Sequence, residues 1–119
     1  GWNAVTATEF RNLDHVDGVI YRITQEPGMR ISEFEWDDGN VLHLMLGHGI
    51  VPEEAEEVFA VAPVFRRTRR GHYAAFGRTQ SGRLLVIVFE MKAGATARII
   101  TGWDMSSAER RYYRRCRGG

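Results

Sequence analysis

The stretch FRRTRRGHYAAFGRT, Phe65 to Thr79, places five arginines and a histidine within fifteen residues. A guanidinium stays charged, and its planar fork pairs with phosphate oxygens. The run Arg66, Arg67, Arg69, Arg70 and the later Arg78 therefore suit a polyanion. Histidine titrates near neutrality, so His48 and His72 are the acid–base candidates. His43 lies inside an apolar run and reads as a half-buried core neighbour. Arg98, in the middle of TARIITG, must face one side of a strand among isoleucines and needs an anionic partner there. Glu90, at the end of LLVIVFE, can be that partner, orient Arg78, or take a proton itself.

Other chemistries find no footing. There is no HExxH or CxxC spacing, and His43 and His48 are five apart, which is wrong for one helix face. GRTQSG reads as a turn, and no Walker loop or dinucleotide fingerprint is present. A single cysteine, Cys116, excludes an internal disulfide framework and suits a reducing compartment. No long apolar run and no basic-then-apolar leader is visible, so the expectation is a cytoplasmic protein without a membrane segment.

The net charge of +1 conceals a division. Residues 1–65 carry three bases (Arg11, Arg22, Arg30) against twelve acids, a balance of −9. Residues 66–119 carry thirteen bases against Glu90, Asp104 and Glu109, a balance of +10. Such asymmetry points to nucleic acid or an acidic partner. Alternatively the acidic half folds over the basic half and cancels part of it.

At 119 residues the chain reads as one domain, 1–119, with 1–30 as an extension of unassigned role. Within that extension, TATEFRNLDHVDG suggests a short helix, GVIYRIT a strand and QEPGM a turn. RISEFEW alternates as a half-buried strand. Asp37 then caps a helix over DDGNVLHLMLGHG, whose continuous apolar run implies that it is largely covered. Gly47 or Gly49 ends it. VPEEAEEVFA is a second helix with Pro52 in its first turn. After Pro63 the chain reads as strands VFRRTRR, GHYAAFGRT, RLLVIVFEM and TARIITGW, joined by short glycine turns. The apolar third of these is the central strand, covered on both faces. SSAERRYYRRCR is a closing helix with Ser106 and Glu109 as a capping box. Its apolar face is thin, with Tyr112 expected in the core, so it should lie at the sheet edge or on a partner. The fold class is α+β: an antiparallel sheet of about four strands, two N-terminal helices and a C-terminal helix, with the helices to one side.

The pieces FEWDDGN…HGIVPEEAEEVF, RRGHYAAFGRTQSGRLLVIVFE and ARIITGWDMSSAERRYYRR, taken in order over 31–115, resemble the BrnT family of bacterial toxins. The resemblance implies a RelE-like fold and a metal-independent endoribonuclease, without cofactor, that arrests growth. It also implies a BrnA-like ribbon-helix-helix antitoxin, contact with DNA only through that antitoxin, and a homodimer in its absence. On this reading Arg78, in its Gly-Arg-Thr context, and Arg98 stabilise charge on the phosphate, His48 or His72 serves proton transfer, and Glu90 orients an arginine or acts as the base. Arg66, Arg67, Arg69, Arg70, Arg111, Tyr113 and Arg114 would hold RNA through phosphate contacts and base stacking. Relatives often carry lysines in the first helix, where this chain has Asn40 and Gly47. That departure supports an alternative: a module that binds RNA or an antitoxin-like protein without cleaving.

Overall fold

The computed structural model describes residues 29–68 and 71–118. The expected helix, strand and turn before Met29, and Arg69 and Arg70, lie outside the described residues. Among the described residues the order is β1 (Glu33–Glu35), α1 (Asp38–His48), α2 (Pro52–Ala60), β2 (Val64–Arg67), β3 (Tyr73–Arg78), β4 (Leu84–Lys92), β5 (Thr96–Asp104) and α3 (Ser107–Gly118). The class is α+β.

Local chemistry sets the helix ends. The Asp37 side chain accepts from the Asn40 backbone N–H, and the Asn40 side chain accepts from the Asp37 N–H in return. Gly49, at φ 63°, closes α1 in the left-handed conformation that glycine adopts without penalty. Pro52 opens α2, with Glu53 and Glu54 in its first turn. Ser106 and Glu109 form the expected capping box, with bonds of 2.7 and 3.1 Å.

The sheet has five strands in the order β1-β5-β4-β3-β2. This corrects the expectation of about four antiparallel strands. The RISEFEW segment contributes β1, which pairs parallel to β5 at the edge, so the sheet is mixed. The crossover through α1, α2 and three strands makes that parallel pairing possible. β4 is the central strand as expected, flanked by β3 and β5 in antiparallel ladders.

Helices cover both faces, which corrects the one-sided arrangement. One core holds Leu44, Ile50, Ala55 and Val58 of the α1–α2 layer against Phe65, Leu85, Ile87, Phe89 and Ile99. The other sets Tyr113 and Met105 against Val64, Phe76, Val86, Val88, Ile100 and Trp103. The alternate residues of β4, apolar throughout from Leu84 to Phe89, supply both. Gly77 lets α2 approach β3: a Cβ there would lie 2.6 Å from the Val58 carbonyl oxygen. α3 lies across the second face, and Tyr113 rather than Tyr112 takes the core position, being 5% exposed.

α1 is less covered than its apolar run implies. Asn40 and Leu44, one turn apart, are its buried residues. Leu42, Met45 and Leu46 face outward, Leu46 at 83% exposure. No helix among the described residues is long and apolar enough to cross a membrane.

Candidate nucleic-acid interface

α3 carries Arg110, Arg111, Arg114, Arg115 and Arg117 against one acid, Glu109. At 3.6 residues per turn, the five arginines fall within about 160° of helix arc, opposite Glu109, Tyr112, Tyr113 and Cys116. Glu109 is 3% exposed. Its carboxylate accepts from Trp103 Nε1 at 3.1 Å and from the Ser106 N–H at 2.7 Å. The one charge that could neutralise the helix locally is thus turned inward. Arg110 Nη1 reaches the Met105 carbonyl, and Arg117 Nη1 donates to the Tyr113 hydroxyl. Arg111, Arg114 and Arg115 are exposed and form no ion pair among the described residues.

On the same sheet face as this helix lies a polar row. The ladders pair Arg67 with Tyr73, Tyr73 with Phe89, Glu90 with Arg98, and Arg98 with Glu35. Continued by one residue, the register sets Thr68 beside His72, where the Thr68 N–H donates to the His72 carbonyl at 2.8 Å. It also sets His72 beside Glu90. Strand alternation turns these residues to the α3 face, because Tyr73 and Phe89 point into the opposite core. Thr68, His72, Glu90, Arg98 and Glu35 therefore form one cross-strand line, with directly opposite Cβ atoms about 4.5–5.5 Å apart. His72 and Glu90 are half-buried.

Arg98 has its anionic partners, but Glu90 is not the one bonded to it. Its Nη1 lies 2.9 Å from Glu35 Oε2 and 2.7 Å from Asp37 Oδ2. Asp37 and then Glu35 hold the guanidinium pKa above its ordinary value. In turn the Asn40 N–H, followed by Arg98, lowers the Asp37 carboxyl. Lys92 also reaches Glu35, at 3.4 Å. Arg98 thus ties the edge strand and the start of α1 to the sheet.

Arg66, expected among the RNA contacts, is packed inside the protein. It is 5% exposed, with its guanidinium 4.0 Å from the Tyr112 ring centroid and 5.3 Å from that of Phe76. This cation–π stack, worth on the order of 1–2 kcal/mol when desolvated, fixes α3 to β2. Tyr113 is buried in the core and is no stacking platform. Arg67 is exposed on the other sheet face, over the Tyr73 ring.

The remaining candidates lie elsewhere. Arg78 is exposed at the far end of β3, paired in register with Leu84. Six residues of strand separate it from His72, about 20 Å. An ion pair between Arg78 and Glu90 is excluded by the same geometry. His48 sits at the end of α1, its ring 5.4 Å from that of His43. His43 Nε2 is 2.8 Å from Thr101 Oγ1, and burial, then the neighbouring His48, lowers the His43 pKa. The five residues expected to act in catalysis thus split: His72, Glu90 and Arg98 share the row, while Arg78 and His48 are remote from it.

Two structural residues escaped the sequence reading. Asn40, 1% exposed, donates from Nδ2 to the carbonyls of Glu35 (3.1 Å) and Ile99 (2.8 Å). It is a tie between helix and sheet, so it cannot stand in for a surface lysine. Arg83 joins α1, α2 and β5. Its Nε and Nη2 hold Asp104 at 2.8 and 3.0 Å, and Nη1 holds Glu54 at 3.1 Å. It also donates to the carbonyls of Gly49 (2.8 Å) and His48 (3.2 Å). Asp104, more than Glu54, raises the Arg83 pKa, and Arg83 lowers that of Asp104. Its place after a glycine turn was visible in the sequence; its four partners, distant along the chain, were not.

Among the described residues, no group of three His, Cys, Asp or Glu side chains is placed to hold a metal ion. No protein-family model matches the chain, and no curated protein matches it.

Proposed function

We propose that this protein is a BrnT-like toxin module of RelE-like fold that binds RNA along α3 and cleaves it without a metal at the His72–Glu90 row. The observation that carries the reading is the outer face of α3, whose arginines have no acid of their own helix beside them. Phosphates on such a face release counterions and gain affinity without sequence choice. The row on the same sheet face supplies the acid–base groups. His72 takes the proton of a ribose 2′-hydroxyl as that oxygen bonds to phosphorus. The P–O5′ bond breaks, and the 5′-oxygen takes a proton from water. Glu90, one strand over, favours the imidazolium so formed. A BrnA-like ribbon-helix-helix antitoxin is the proposed partner, and the exposed Leu42, Met45 and Leu46 stripe on α1 supports a protein partner of some kind.

A second reading, RNA binding without cleavage, draws on two facts. Arg78 stands about 20 Å along its strand from the row, and two carboxylates already hold Arg98. Labelled single-stranded RNA incubated with the protein and a chelator separates the two. The proposal expects cutting that His72→Gln slows by about 10²–10⁴-fold, and growth arrest on induction in bacteria. Binding without cutting selects the second reading; neither binding nor cutting rejects both.

A further inference from the structure

On the face opposite α3, a groove of about 680 Å³ opens between the β1 approach and α2. Its floor is aromatic. Phe34 and Phe59 meet edge-to-face at 5.0 Å, and Phe59 lies 6.0 Å from Phe65. Its rim carries Glu53, Glu56 and Glu57 of α2 against one described lining base, Arg30. Glu56 Oε2 accepts from Trp36 Nε1 and Glu57 Oε1 accepts from the Gln80 N–H. A carboxylate offers about four acceptor sites, so each keeps capacity for a cation.

The internal arginines are occupied with other acids: Arg98 with Glu35 and Asp37, Arg83 with Glu54 and Asp104. None of the three rim glutamates forms an ion pair among the described residues. An apolar floor under a net negative rim repels phosphate and selects the complementary ligand. We propose that this groove docks a segment of a partner protein in which lysines or arginines flank an aromatic or aliphatic anchor. The anchor covers the phenylalanine floor and the flanking cations meet the rim. This site is independent of RNA chemistry on the other face, so both can be filled together.

The test uses the full chain and three short fluorescent peptides read by anisotropy: leucine anchors flanked by lysine, the same anchors flanked by glutamate, and the lysines with serine in place of leucine. The first binds with micromolar affinity that falls with salt, and the other two do not. The triple variant Glu53→Gln/Glu56→Gln/Glu57→Gln weakens it about tenfold. Ala60→Lys, at an exposed lining position, also weakens it while leaving the melting temperature unchanged. Binding of the glutamate peptide as well as the lysine one, no binding of any peptide, or insensitivity to both variants overturns the proposal. Binding of the serine peptide or of spermine as tightly as the first peptide shows a plain cation site and overturns it too. RNA binding is measured on the same samples, so failure of the α3 reading is recorded separately.

Discussion

Replacing Arg83 by methionine removes the clamp but keeps much of the aliphatic stem. The side chain is 26% exposed, Glu54 25% and Asp104 61%. Partly exposed ion pairs contribute about 0.5 kcal/mol each after screening. The two carbonyl bonds, to His48 and Gly49, add about 1 kcal/mol together once water replaces part of them. The expected loss is about 2 kcal/mol, or roughly 6–12 °C in melting temperature for a chain of this size. Urea unfolding followed by circular dichroism measures it. The pH dependence carries a second signature. Asp104 has a lowered folded pKa because Arg83 donates to it. Its contribution is therefore present above the unfolded carboxylate pKa, about 3.9, and disappears as pH falls through the folded value. The gap between wild type and Arg83→Met should narrow in that acid window. A variant within 0.5 kcal/mol of wild type at neutral pH, or a gap that widens in acid, would refute the clamp.

Gly77→Ala must push a methyl against the Val58 backbone and should cost about 2–3 kcal/mol by thermal melting; an unchanged midpoint means α2 does not pack on β3 this closely. Asn40→Ala strips the part-buried carbonyl of Glu35 and the buried carbonyl of Ile99 of this donor and should cost about 3 kcal/mol, again read by urea unfolding. The lowered His43 pKa means the folded protein binds fewer protons there than the unfolded chain. The His43 contribution should hold above about pH 6.5 and decline as pH falls toward the folded value. His43→Gln, which can still bond Thr101, should flatten that slope.

Much of the fold was readable because it is set locally. Asp37, Gly49, Pro52 and the Ser106–Glu109 pair mark helix ends by bonds made within a few residues. The apolar run from Leu84 to Phe89 signals a strand covered on both faces, and both cores draw on it. What was missed is nonlocal. The parallel pairing of β1 with β5 joins segments about sixty residues apart, and no turn chemistry announces it. Alternating strand residues told that two faces existed, but not that α3 covers the second. Tyr112 and Tyr113 have the same chemistry one position apart, about 100° around the helix, and both lie opposite the arginines; Arg66 decides between them by stacking on Tyr112. Of the site, the chemical types were legible. The sequence suggested Arg98 needs an anion, but Glu35 and Asp37 become its partners only through the β1–β5 register. His72, Glu90 and Arg98 were named from chemistry and come together through register, whereas Arg78 and His48 bear the same chemistry at the other end of the sheet.

If α3 presents its arginines to a polyanion, their charge must show in the salt dependence of binding. The most direct measurement is the affinity for single-stranded RNA across a salt series, for wild type and for Arg111→Gln/Arg114→Gln/Arg115→Gln. Each phosphate contact on a single strand contributes about 0.7 to the slope of log affinity against log salt. The slope should be lower by about 2 in the triple variant, with an unchanged melting temperature. An affinity and slope equal to wild type would contradict it.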